Sequence, residues 1–240
     1  MSIRAEISAR RVASALLLSA VCWAATPMAA AAQDRLFLTG GEVADAAYYS
    51  YVGAVLPLGQ RKNGRGWTQR YWLDAFGYEY DGAPGRVQAD AYGAEAALGY
   101  GGSNEQGWWN ASLGLRYTDT DLDPDDPSAS ARGSQLGGKL QLEADGKVAE
   151  GWRLGGIASY SNEQNGYWAR ARLMRGATPA RAFGVEAVAN GNDEADATAA
   201  GFVATFQPAA SRWSIALKAG YRWQEDADGA YGGLELGYGF

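Results

Sequence analysis

The side chains able to do chemistry in this chain are carboxylates, guanidinium groups, lysines and indoles, because His is absent and Cys occurs once. Without an imidazole there is no Ser-His-Asp or Cys-His nucleophile and no His-ligated metal. A single thiol excludes a disulfide framework and a thiolate zinc site. Three options remain: paired carboxylates, oxygen ligation of a hard cation, and recognition by charge and aromatic faces. The densest acidic run is Asp119-Thr120-Asp121-Leu122-Asp123-Pro124-Asp125-Asp126. Oxygen ligands suit Ca²⁺, but the run lacks the central Gly and distal Glu of an EF-hand loop and reads as a solvated acidic loop. Glu95 and Glu186 have the chemistry of a glycosidase pair, yet nothing singles them out among the other carboxylates. No catalytic residue, metal or cofactor is implied.

Fourteen of the other charges share one phase of a period-two alternation. Arg70, Arg116, Lys139, Arg153, Arg170, Arg172, Arg212, Lys218 and Arg222 share it with Asp74, Glu95, Glu143, Glu186 and Glu235. Trp72, Phe76, Trp108, Trp168 and Tyr231 take the same phase. Inside a barrel such a mixture either lines a wet channel or pairs and fills the interior. Basic residues outnumber acidic ones in this set, so an open lumen would favour anions. The aromatics are candidates for a saccharide track or for packing at the rim.

The elements that must carry these residues are strands. Trp109, Ala111, Leu113, Leu115 and Tyr117 alternate with Trp108, Asn110, Ser112, Gly114 and Arg116. Trp213, Ile215, Leu217, Ala219, Tyr221 and Trp223 alternate with polar and small residues, with aromatics at both ends of the apolar stripe. That is the pattern of a strand crossing lipid between two interfacial girdles. The same grammar predicts about twelve strands, near 35–42, 46–58, 67–80, 87–100, 107–118, 133–144, 151–161, 167–176, 181–190, 197–207, 212–223 and 230–240. A soluble β-sandwich also alternates, but its polar phase would not collect so many charges opposite a stripe with aromatic ends. The fold expected is all-β, a transmembrane antiparallel barrel spanning 33–240, with both termini on one side and the longest connection on the other. Leu234, Leu236, Tyr238 and the final Phe240 resemble the terminal strand signal that barrel insertion machinery reads in outer-membrane proteins.

The first 32 residues read as a signal peptide. Arg4, Arg10 and Arg11 precede an apolar stretch from Val12 to Ala25, and small residues up to Ala32 place cleavage between Ala32 and Gln33. This Sec-type address predicts export to the outer membrane of a Gram-negative cell. The net charge of −6 and pI near 4.8 argue against a nucleic-acid partner. Removing the signal, with its three Arg and one Glu, makes the chain more acidic still.

Spaced short motifs carry a resemblance. Tyr49-Ser50-Tyr51-Val52-Gly53-Ala54-Val55-Leu56-Pro57-Leu58, then Gly66-Trp67 with Arg70 and Trp72, then Gly93-Ala94-Glu95 leading to Leu98-Gly99-Tyr100, and later Gly184-Val185-Glu186 with Gly191-Asn192, are similar to the bacterial cellulose biosynthesis protein BcsS family. The resemblance implies a non-enzymatic barrel accessory to cellulose production, in polymer export or in anchoring the machinery. Its implied partners are outer-membrane lipid and cellulose or components of the cellulose synthase complex. A small porin for charged oligosaccharides is the alternative reading. Outer-membrane barrel hydrolases that share this architecture use a His, which this chain does not have.

Overall fold

The computed structural model describes residues 35–62, 65–178, 180–208, 211–224 and 227–240. The proposed signal peptide and its Ala32–Gln33 cleavage point lie outside the described residues. The chain is all strand, in the order β1 (Leu36–Val43), β2 (Ala47–Lys62), β3 (Arg65–Gly82), β4 (Gly85–Ser103), β5 (Gly107–Asp123), β6 (Gly133–Ala149), β7 (Trp152–Ser161), β8 (Gly166–Thr178), β9 (Arg181–Gly191), β10 (Asp196–Phe206), β11 (Trp213–Gln224) and β12 (Gly229–Gly239). Each pairs antiparallel with its neighbours in sequence, and β1 pairs with β12 to close the barrel. Closure leaves no unpaired strand edge, which a sheet in hydrocarbon cannot tolerate.

Alternation decides which way each strand faces. On β11 the stripe Trp213, Leu217, Tyr221 and Trp223 is exposed while Ala216 and Arg222 are buried. The exposed apolar side chains are a lipid-facing band, not a defect of the core. Ten residue steps from Trp213 to Trp223, at a rise of about 3.3 Å and a tilt of about 40°, span about 25 Å, the height of such a band. At the end carrying the termini, aromatics meet across strands: Trp67 with Tyr100, Trp213 with Tyr238, and Phe37 stacked on Phe240 with centroids 5.0 Å apart. The Phe240 amide donates to the Arg35 carbonyl at 2.9 Å, so the last residue fastens the end of the strand. Leu234 is exposed on the outer face, and Leu236 and Tyr238 share its phase.

The wall is uneven. β2 to β6 run 16 to 19 residues, whereas β7 to β12 run 10 to 13. The extra length of β4 and β5 corrects one expectation. Asp119, Asp121 and Asp123 are not loop residues, because β5 keeps its register with β4 as far as Gln88↔Asp123. Buried Thr118 and Thr120 hold that alternation beyond the apolar band, leaving the three aspartates on the outer face in water. Only 124–132 forms the connection, the longest one, at the end opposite the termini.

Candidate functional site

The barrel interior is an electrostatic lattice built from the inward phase of nearly every strand. On one side, Arg70 of β3 reaches Glu95 of β4 and Glu143 of β6, both at 3.0 Å, and Lys139 of β6 closes on Glu95 at 2.6 Å. Arg116 of β5 grips Asp74 of β3 through two bonds of 2.8 and 3.0 Å, and turns its Nε to Glu163 at 3.4 Å. On the opposite side, Glu235 of β12 receives Arg170 at 2.9 Å, Arg172 at 2.7 Å and Lys218 at 3.4 Å. Arg172 also bonds Glu186, Lys218 bonds Glu42 at 2.6 Å, and Tyr231 donates its hydroxyl to Glu186 at 2.8 Å.

Small residues make room for this lattice. An added Cβ at Gly93 would lie 2.3 Å from an Asp74 oxygen and 2.5 Å from an Arg116 nitrogen, so the tightest ion pair sits where that side chain is missing. At Gly53 the Cβ would meet Trp72 at 1.9 Å. The indole lies across that glycine, stacks on Tyr51 at 4.6 Å, carries the Arg70 guanidinium 4.2 Å from its centroid and donates to the Tyr49 hydroxyl at 3.0 Å. The glycines and aromatics of the Tyr49–Gly53 and Gly93–Glu95 motifs are therefore spaced as the interior packing requires.

A cavity of about 330 Å³ lies within the lattice, lined by Arg70, Asp74, Arg116, Lys139, Glu143, Arg170, Lys218, Arg222 and Glu235 among the predicted charges and by Trp72, Phe76 and Trp168 among the aromatics. Glu95 is buried in its ion pairs, and Tyr231 packs with Val188 and Ala199 beside Trp168. Three placements differ from the sequence reading. Trp108, at the first turn-side residues of β5, is 41% exposed at the end carrying the termini. Arg212 precedes β11 at that same end, and Arg153 pairs there with Asp145 of β6. All three keep the inward phase but lie where the lumen meets water. Glu95 and Glu186 are held by separate partners on different walls, Arg70 with Lys139 and Arg172 with Tyr231, so they form no carboxylate pair.

The expected excess of basic charge is also corrected. Glu42, Asp145 and Glu163 supply carboxylates that the inward set lacked. Among the described residues, Arg222 is the exception in the cavity: it bonds Asn190 at 3.3 Å and its buried Nε has no partner. One Glu163 oxygen is likewise buried without a partner. Groups of His, Cys, Asp and Glu able to hold a metal are absent among the described residues.

The end opposite the termini is bonded across. Asn192, between β9 and β10, donates to the Tyr78 hydroxyl of β3 at 2.8 Å, and five strands lie between β3 and β9 in either direction. Gln224 of β11 donates to the Glu79 carbonyl at 2.6 Å. Ala195 packs on a cluster of Tyr80, Val87 and Ala89 on the tall wall. The connections support each other: Asn165 donates to Asp193 at 2.8 Å, and the Ser130 amide donates to Glu194 at 2.6 Å. Beside them Asp126 accepts from the Ser128 hydroxyl at 2.6 Å, which with the Ser128 amide holds its carboxyl below the usual range.

Solved structures with this fold include an outer membrane channel from Pseudomonas putida F1 (13% identity, TM-score 0.59, covering 92% of this chain and 98% of that one). The translocator domain of the autotransporter NalP from Neisseria meningitidis aligns at 12% identity and TM-score 0.50, over 98% and 96% of the two chains. The KdgM porin, solved in complex with disordered oligogalacturonate, aligns at 9% identity and TM-score 0.50, over 85% and 99%. At such identities these likenesses establish the barrel and nothing finer. No curated protein matches the chain. The model of one family, described as cellulose biosynthesis protein BcsS, matches residues 36–240 and so takes in every strand. The chain is a closed twelve-stranded barrel with an apolar outer band, and it belongs to the cellulose biosynthesis protein BcsS family.

Proposed function

We propose that this protein is a non-enzymatic outer-membrane accessory of cellulose production that holds the polymer or its machinery at the cell surface, rather than an open pore. The observation that carries this reading is the mutual pairing of the interior charges beneath a bridged mouth. The charges are satisfied by one another, and the mouth away from the termini is bridged by Asn192–Tyr78 and Gln224–Glu79. A porin for charged oligosaccharides needs a ladder of unpaired charges that a substrate can bind and leave. Here nearly every cation in the cavity already has a carboxylate, which weakens the alternative. The connections at the bridged end face outward if the termini lie in the periplasm, so they present a fixed surface to the outside.

The test is to remove the protein from a cellulose-producing host and measure total cellulose and the fraction attached to cells. Anchoring predicts unchanged synthesis with more cellulose released into the medium. Unchanged attachment would overturn the reading, and a collapse of external cellulose with attachment preserved would favour a conduit instead.

A further inference from the structure

The cavity beneath the bridged mouth has features that neither the ion pairs nor the barrel closure requires. We infer that it is a binding site for a short segment of neutral glycan, with Trp168 as the platform on which a sugar ring rests. This deepens the anchoring reading, on which it relies only for the source of the glycan.

Trp72 and Trp168 both line the cavity, but they differ in what they have free. Trp72 is engaged by Tyr51, Arg70, Tyr49 and the surface of Gly53. Trp168 packs along Val188, Ala199 and Tyr231 but, among the described residues, donates no hydrogen bond and stacks on no ring in the way Trp72 does, and Arg170 stands 5.4 Å from its centroid while bonded to Glu235. An indole that turns part of its surface to a cavity suits the apolar C–H face of a sugar. Four amides line the same cavity, those of Gln141, Gln164, Asn190 and Gln224. Gln141, Gln164 and Gln224 each use an amide N–H, on Glu143, the Ala131 carbonyl and the Glu79 carbonyl, and Asn190 accepts from Arg222. The remaining donors and acceptors of these amides can meet a hydroxyl.

The leftover polar atoms point to a neutral ligand. Arg222 has an unused donor and Glu163 an unused acceptor, both on residues of the cavity wall. A hydroxyl both donates and accepts, so a ligand carrying several can meet either group once that side chain turns toward the cavity. The carboxylate of a uronate can meet only the arginine, and it must pass Asp193, Glu194 and Asp196 at the mouth and then meet Glu163. A volume of about 330 Å³ limits the occupant to a short segment, not a length of fibre.

The experiment titrates the purified full barrel in detergent with cellohexaose, and separately with oligogalacturonate, following tryptophan fluorescence and calorimetric heat. Saturable binding of cellohexaose, at least tenfold tighter than the acidic oligomer, is expected. Trp168→Ala should weaken it at least tenfold and Trp168→Phe by less, with heat-modifiable gel migration showing that both variants fold. No saturable binding by the unmodified barrel, equal binding by Trp168→Ala, or a preference for oligogalacturonate would each overturn the inference. A barrel that binds no glucan while its removal still releases cellulose fails here and leaves the anchoring role standing. A barrel that binds glucan while its removal changes nothing does the reverse.

Discussion

Glu235 is the most heavily used carboxylate of the interior, and Glu235→Gln is the sharpest perturbation of it. Its side chain, 14% exposed, takes Arg170, Arg172 and Lys218 together. The losses are unequal, because Arg172 keeps Glu186 and Lys218 keeps Glu42. Arg170 keeps only its contact with Trp168. A charge-assisted bond contributes about 1.5–3 kcal/mol net, and stranding a buried partner costs about 3–5 kcal/mol. With two of the three cations retaining a partner, the low end applies, about 3 kcal/mol. Arg153→Ala is the control: its pair with Asp145 is 41% and 25% exposed, so the loss should stay below about 1 kcal/mol. Urea unfolding of each variant in lipid vesicles, followed by tryptophan fluorescence, gives the difference. Combining Glu235→Gln with Arg170→Met should recover part of the loss, since the stranded charge goes with it. Equal effects of Glu235→Gln and Arg153→Ala, or strict additivity in the double variant, would refute the claim that the lattice supports the barrel.

Leu217→Arg, on the lipid face, should destabilise by about 2–4 kcal/mol near the midplane, while Lys218→Ala one residue along should cost less; a reversed order in the same urea titration would mean that β11 is out of register. Gly53→Ala forces Trp72 off its seat, and overpacking of this kind costs about 1–3 kcal/mol, visible as loss of the near-ultraviolet dichroism of the Trp72–Tyr51 stack. Tyr78→Phe with Asn192→Ala removes one bridge across the mouth, worth about 0.5–1.5 kcal/mol, and should raise the frequency of channel openings without changing the melting behaviour of the barrel. The depressed carboxyl of Asp126 stabilises its connection above the unfolded value of about 4 and loses that contribution as pH falls through the lower folded value; Asp126→Asn should abolish the acid dependence of proteolytic cutting within 124–132.

Alternation was legible because lipid and lumen are opposite solvents on the two faces of every strand, so each predicted strand has its counterpart from β1 to β12. The ends were less legible. Once β4 and β5 leave the membrane their outer face meets water while the inner face stays buried, so Asp119, Asp121 and Asp123 stand where apolar residues had marked the strand. The same blindness hid three partners in the lattice. Glu42 closes a short strand, and Asp145 lies where β6 runs past the apolar band, though it shares the phase of Lys139 and Glu143. Phase alone could have found both. Glu163 had no such signal, because its approach to Arg116 depends on how the connection between β7 and β8 folds back over the lumen. Tyr49 and Tyr51 stood in the quoted motif but were not placed inside. Their odd-numbered phase, shared with Gly53, is what brings them to Trp72.

The central claim is that the interior is charge-paired and bridged at one mouth rather than an open pore, and planar bilayer recording tests it most directly. Purified barrel under a salt gradient should show rare, small openings with no preference for anions. Paired lumen charges offer a passing ion little net field, and screening over about 8 Å at physiological salt removes the rest. A steady, large and anion-selective conductance would contradict the account.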